Sequence, residues 1–184
     1  VTGTAEPNSS IDITFTDING GSVAVNNVTV DGSGDWSANN EDLSSLDDGN
    51  VTIDVIVTDA AGNTNNTSTT TIKDTVAPAA PIIDTVPAIN IENENAFNVT
   101  GTAEPNSSID ITFTDINGGD VTVNNITVDG SGDWSVNNED LSSLDDGNVT
   151  IDVIVTDAVG HTNITSTTTI KDTVAPAAPI IDTV

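Results

Sequence analysis

The chain has 184 residues, with 29 acidic residues against two lysines and no arginine, for a formal charge of −27. That balance excludes nucleic acid and anionic membrane surfaces as electrostatic partners. The absence of cysteine excludes disulfides and thiolate metal sites, and no apolar run approaches the ~18 residues of a spanning helix. Acidity alone would suit a disordered chain. However, 35% of the residues are apolar, largely Val and Ile in alternating positions, which argues for folded strands. A chain that repels itself this strongly needs counterions to stay compact, and a divalent cation is the efficient one.

Residues 1–86 recur as residues 99–184, an offset of 98, with seven differences, among them Asn63/His161 and Asn66/Ile164. A repeat of this length is a whole domain rather than a blade or a helical hairpin, whose periods run about 20–50 residues. The expected organisation is one complete unit at 75–172, a unit at 1–74 that lacks its first strand, and the opening of a third at 173–184. Residues 1–184 are expected to be an excerpt of a longer string of such units.

Taken in chain order, the complete unit reads as strands and turns only. A Pro-Ile-Ile segment opens it. Phe97, Val99, Gly101 and Ala103 then share one face of an alternating strand, and Glu104-Pro105-Asn106-Ser107 is a turn by composition. Ile109, Ile111 and Phe113 point opposite to Asp110, Thr112 and Thr114. Asn117-Gly118-Gly119 reverses the chain into Val121–Val123 and then Ile126–Val128. Asp129-Gly130-Ser131-Gly132-Asp133 turns it again, and Trp134 enters a short strand. Leu141 and Leu144 flank a polar loop ending in Asp145-Asp146-Gly147-Asn148. Val149, Ile151, Val153 and Val155 alternate with Thr150, Asp152, Ile154 and Thr156, and Asp157–Gly160 leads into the row ending at Ile170. About seven short strands with turns every 8–12 residues predict an all-β fold: tandem immunoglobulin-like Greek-key β-sandwiches joined by short Pro-containing linkers. No Cys–Trp–Cys signature is present, so burial of β-branched side chains must hold the sheets together.

The segments TGTAEPNSS, DGSGDWS, VTDAAGNT and DTVAPAAP, in that order and at domain spacing, resemble the bacterial immunoglobulin-like repeats of large type I-secreted (RTX) adhesins. The resemblance covers essentially the whole chain. It implies an extracellular stalk at the bacterial cell surface, a non-catalytic extender that projects a distal ligand-binding region and is rigidified by calcium. The glycine-rich nonapeptides of that family's C-terminal end are absent from these residues.

The same chemistry is expected from the residues. In an immunoglobulin-like topology the loops between strands two and three, four and five, and six and seven cluster where the chain comes in. In the complete unit these loops carry Glu104, Asp129 to Asp133, and Asp157; in the first copy they carry Glu6, Asp31 to Asp35, and Asp59. Asp74 precedes the stiff Ala77-Pro78-Ala79-Ala80-Pro81, and Asp172 holds the same place after the second copy. Asp74, Glu104 and Asp157 are therefore expected to share a calcium ion at the junction. Calcium takes six to eight oxygen ligands in flexible geometry, whereas magnesium demands a near-ideal octahedron. Asp129 and Asp133, like Asp31 and Asp35, form a second candidate, with oxygens at alternate positions as at the start of a calcium loop. A glycine-rich turn capped by aspartates has the same sequence.

Other features read as ordinary structure. His161 reads as a surface loop residue, Asp47-Asp48 and Asp145-Asp146 as turns, Trp36 and Trp134 as core aromatics, and the threonine row 67–71 as a β-former. No nucleophile arrangement is evident, so no enzymatic role is expected. The alternative to the spacer is a module binding a glycan or polymer on each unit. Expected partners are calcium ions and neighbouring repeats, without direct membrane contact, in an elongated monomer.

Overall fold

The computed structural model describes residues 1–182; Thr183 and Val184, the end of the expected third-unit segment, lie outside the described residues. The chain divides into two compact units, Val1–Thr75 and Val76–Val184. The described secondary structure is entirely strands and turns.

In the second unit, β7 (Ile82–Ile83), β8 (Phe97–Thr102) and β11 (Asp133–Glu139) form one sheet in the order β11-β8-β7. The facing sheet has the order β10-β9-β12-β13, built from β9 (Ser108–Thr114), β10 (Asp120–Thr127), β12 (Gly147–Thr156) and β13 (Thr162–Lys171). Every ladder is antiparallel. The chain crosses between sheets at β8–β9, β10–β11 and β11–β12, which makes a seven-stranded immunoglobulin-like Greek key. Period-two alternation decides which side chains face inward. Ile109, Ile111, Phe113, Val149, Ile151, Val153 and Val155 are each fully buried between the sheets. Phe97 meets Phe113 edge to face, with ring centroids 6.0 Å apart, a favoured aromatic geometry.

The runs Val121–Val123 and Ile126–Thr127 belong to one strand, β10, interrupted by a shift in register between Val123 and Ile126, and Val128 lies just past its end. Asn125 takes φ 58° there and donates its N–H to Asp110 Oδ1 at 2.8 Å, so a β-bulge replaces the expected break.

The first unit contains β1 (Thr2–Thr4), β2 (Ser10–Thr16), β3 (Ser22–Thr29), β4 (Asp35–Ser37), β5 (Gly49–Thr58) and β6 (Thr64–Lys73). Its sheets are β3-β2-β5-β6 and β1-β4, with Ile11, Ile13, Phe15, Val51 and Ile53 buried between them.

Candidate metal centre

The turn after β8, residues 103–107, is tied to the β10–β11 turn by Ala103 N–H to Gly132 O at 2.9 Å, and Val128 N–H donates to Ser107 O at 3.0 Å. Ser108 pairs with Thr156 across β9 and β12, which sets the first turn beside Asp157. Asn163, two residues past the Asp157–His161 turn, donates Nδ2 to Pro78 O at 3.0 Å. Four elements thus converge at one end of the second unit: the incoming chain and the loops bearing Glu104, Asp129 with Asp133, and Asp157. Glu6, Asp31, Asp35 and Asp59 occupy the equivalent end of the first unit, where Ala5 N–H meets Gly34 O at 2.9 Å and Ser10 pairs with Thr58.

Asp157 is the most enclosed of these carboxylates, 8% exposed. Its Oδ1 accepts backbone N–H groups from Val159, Gly160 and His161 at 2.7–2.9 Å, and its Oδ2 lies 2.9 Å from His161 Nδ1. Burial acts to raise its pKa, but the backbone donors and His161 outweigh it and hold the group below the ordinary carboxylate value. In the first unit Asn63 Nδ2 donates to Asp59 Oδ2 at 2.7 Å, so amide and imidazole perform the same service for the same aspartate. Reading His161 as a loop residue misses this pairing. The signal was its position four residues after Asp157, in the turn where the other copy carries an amide donor.

Asp129 uses Oδ1 to receive Ser131 N–H at 2.8 Å and Asp133 N–H at 3.0 Å, and Asp31 receives Ser33 and Asp35 in the same way. These donors, led by Asp133 and Asp35 respectively, keep both pKa values low. The sequence therefore builds an Asx-type turn, closed by Gly132 at φ 92°, in which the leading aspartate is held ionised. Glu104 lends its backbone carbonyl to Ser107 Oγ at 2.6 Å.

Asp74 and Asp172 belong to the opposite, outgoing end of their units. There Asp172 N–H meets Ile89 O at 2.9 Å and its Oδ1 accepts Val174 N–H at 3.0 Å. In the first unit Asp48 receives Lys73 Nζ at 2.8 Å, together with Thr75 N–H and Oγ1 at 3.0 and 2.7 Å.

The outgoing ends also carry a pair that the sequence reading did not single out. Asp17 and Asp115 are 6% and 7% exposed. Asp115 receives Asn117 and Gly119 N–H on Oδ1 and Asp145 N–H on Oδ2, at 2.8–2.9 Å, and Asp17 repeats the pattern with Asn19, Gly21 and Asp47. Their N–H donors, with the Asp145 and Asp47 amides the largest contributors, lower both pKa values against burial. The Asp-x-Asn-Gly-Gly spacing was the visible signal. These carboxylates staple two loops rather than offering an open ligand.

An all-β Greek-key sandwich of seven strands defines the class as an immunoglobulin-like domain. Residues 1–75 match the family model described as a bacterial Ig-like domain. The second unit repeats that sequence with seven differences over 86 residues, so both units carry the sequence that resembles that family. No curated protein matches the chain. Among solved structures it is similar to a tetra-tandem repeat in the extending region of a large adhesion protein: 32% identity, TM-score 0.49, covering 93% of this chain and 44% of that one. It is also similar to a Ca2+-stabilized adhesin that helps an Antarctic bacterium bind ice, at 28% identity and TM-score 0.43, over 96% of this chain and 44% of that one. A third similarity is to a 1.5-MDa bacterial ice-binding adhesin, at 26% identity and TM-score 0.42, over 96% of this chain and 58% of that one. The chain spans roughly half the length of these structures.

Proposed function

We propose that these domains are spacer repeats of a bacterial cell-surface adhesin, extracellular and non-catalytic, whose junctions are stiffened by calcium. The observation that carries this reading is the polarity of the second unit. Its chain comes in beside Glu104, Asp129, Asp133 and Asp157 and leaves at the opposite end past Asp172. A string of such domains brings each outgoing aspartate, of which Asp74 is one, just ahead of the next acidic loop cluster in sequence. A ligand set dominated by carboxylate oxygens, with no thiolate, suits a hard cation, and its loose arrangement suits calcium better than magnesium.

The resemblance of the four ordered sequence segments to adhesin extender repeats supports the same reading. Charge supplies the reason for a cation: residues 75–172 carry sixteen acids against Lys171 alone, and unscreened repulsion of that size opposes a compact state. In the proposed site Asp74, Glu104 and Asp157 hold the shared ion, and Asp129 with Asp133 forms the secondary one. Glu6, Asp59, Asp31 and Asp35 serve the preceding junction, and Asp172 the following one.

Calorimetric titration of calcium into the 184-residue chain and into Asp74→Ala tests the assignment. The expected result is a heat of binding that the substitution weakens, together with a melting temperature raised by calcium and lowered by chelator. At a hundredfold excess over Kd a ligand bound only to the folded state adds roughly 2.7 kcal/mol. Identical heats from both chains, or a melt indifferent to chelator, would overturn it.

A further inference from the structure

The path of the chain through the second unit lays its opening segment beside its last strand. Residues 76–90 run along β13 in the same direction, from the incoming end to the outgoing end. Asn163 Nδ2 donates to Pro78 O at 3.0 Å, Thr169 Oγ1 donates to Pro87 O at 2.8 Å, and Ile89 bridges Lys171 in a parallel pairing. At that bridge Ile89 N–H meets Ile170 O and Asp172 N–H meets Ile89 O, both at 2.9 Å. Within the same segment β7 pairs with β8, Ile82 with Thr102 and Ile83 with Gly101.

The bridge is dry and held from both sides. Ile89 is fully buried and Lys171 is 3% exposed. Lys171 Nζ donates to the carbonyls of Leu144, Leu141 and Ser142 at 2.6, 2.9 and 3.3 Å and pairs with Glu94 Oε2 at 3.1 Å. The Glu94 carbonyl accepts Leu141 N–H at 2.7 Å, and its own N–H meets Asn90 O at 2.9 Å. Asn93 ties down the two neighbours of Ile89: its Nδ2 donates to Ala88 O at 2.9 Å and its Oδ1 accepts Asn90 N–H at 2.7 Å. Parting the ion pair would leave uncompensated charges away from water, which is strongly unfavourable.

Tension along the chain enters this unit at residue 76 and leaves it at residue 172. It draws the opening segment toward the incoming end and β13 toward the outgoing end. Hydrogen bonds between neighbouring strands lie across or slanted to the strands. The load therefore shears the contacts at Pro78, Ile82, Ile83, Pro87 and Ile89 together instead of opening them one by one. From Ile89 the force passes directly to residues 170–172 and out of the domain, bypassing most of both sheets.

We propose that the Ile89 bridge, locked by the Glu94–Lys171 ion pair, is a shear clamp with which the domain carries tension along a string of such domains. The use made of the clamp rests on the spacer reading; its geometry does not. No cation takes part, so the clamp holds in chelator.

Single-molecule pulling of the 184-residue chain in chelator tests it. The chain contains no cysteine, so pairs of introduced cysteines choose the direction of load and keep the first unit outside the loaded path. Handles at Ala77→Cys and Val174→Cys, both exposed positions, shear the clamp. Handles at Ala77→Cys and the exposed Ala158→Cys both sit at the incoming end and peel the segment from β13, starting at Pro78. At one loading rate the shearing geometry is expected to unfold at a force higher by roughly twofold or more, because forced unfolding reads the barrier rather than the equilibrium. Glu94→Gln removes the charge, keeps the shape and lowers the shear force while leaving the peeling force unchanged. Val136→Ala, a core change in β11 away from the clamp, serves as the stability control: it lowers the chemical denaturation midpoint but lowers the shear force less than Glu94→Gln does. Retention of the force difference alongside scattering profiles indifferent to calcium would sink the calcium-stiffened junction and support the clamp. Equal forces in the two geometries, or a Glu94→Gln shear force no lower than that of Val136→Ala, would overturn the clamp.

Discussion

Trp36 and Trp134, Val57 and Val155, and Leu43 and Leu141 are pairs of identical residues in nearly identical sequence, yet the first of each pair is half-buried and the second buried. Val1 is 45% exposed where Val99 is 4% exposed. The local code is the same, so the difference comes from residues 76–97. These supply β7 and add Ile89 and Phe97 to the core of the second unit. By the 98-residue offset their counterparts would precede Val1. Strands of one domain therefore hold their neighbours dry only when the opening segment closes the sandwich. Burying a Val, Leu, Ile or Phe side chain contributes about 1.5–3 kcal/mol, and Ile89, Phe97, Val99, Leu141 and Val155, with Trp134, are buried in the second core without a buried counterpart in the first.

The largest contrast expected from mutation is at the two lysines. Lys171 is 3% exposed, donates to the carbonyls of Leu141 and Leu144 at 2.9 and 2.6 Å, and pairs with Glu94 at 3.1 Å. Lys171→Ala strands a carboxylate and two carbonyls and is expected to cost the second unit about 3–5 kcal/mol. Lys73 lies at the repeat-equivalent position but reaches the partly exposed Asp48 instead. Lys73→Ala should cost the first unit much less, since solvent-accessible pairs contribute little. Chemical denaturation followed by hydrogen exchange reads each unit separately. Equal losses at both lysines would break the comparison.

Phe97→Ala removes the ring packed on Phe113 and should cost about 3–5 kcal/mol in the second unit, leaving exchange in the first unchanged. Without mutation, calorimetry should resolve two transitions, the lower one belonging to residues 1–75. A single transition losing protection in both units together would contradict the burial argument.

Acid gives a smaller effect. Asp17, Asp115 and Asp157 have pKa values lowered on folding. Their stabilisation is therefore present above the unfolded carboxylate value and is lost as pH falls through the lower folded values. Asp48 is held down from 3.8 to about 2, first by the Lys73 side chain and then by Thr75. In an NMR titration its midpoint should lie near that value and rise toward the ordinary one in Lys73→Ala.

Most of the fold was legible because period-two alternation of Val and Ile gives strand faces directly, and Asn-Gly, Gly-Gly and Asp-Gly place the turns. The clustering of Glu104, Asp129 and Asp157 at one end followed from topology alone. What was not legible depended on partners distant in sequence. Ile89 sits in a polar stretch, and its burial arises because its N–H and C=O bond Ile170 and Asp172 along β13. The split behaviour of the lysines depends on Glu94, distant in sequence from Lys171 and in a segment whose repeat equivalent would precede Val1. The role of Asp115 required knowing that the Asp145 amide would arrive from another loop. His161 was visible as a substitution, but its bond to Asp157 required the turn to be closed.

The stiffened spacer is tested most directly by small-angle scattering of the 184-residue chain in millimolar calcium and in chelator at matched ionic strength. The expected result is a longer maximum dimension and a narrower distribution of distances with calcium, a response diminished in Asp74→Ala and Glu104→Ala while each unit stays folded. Superimposable profiles in calcium and chelator would contradict it.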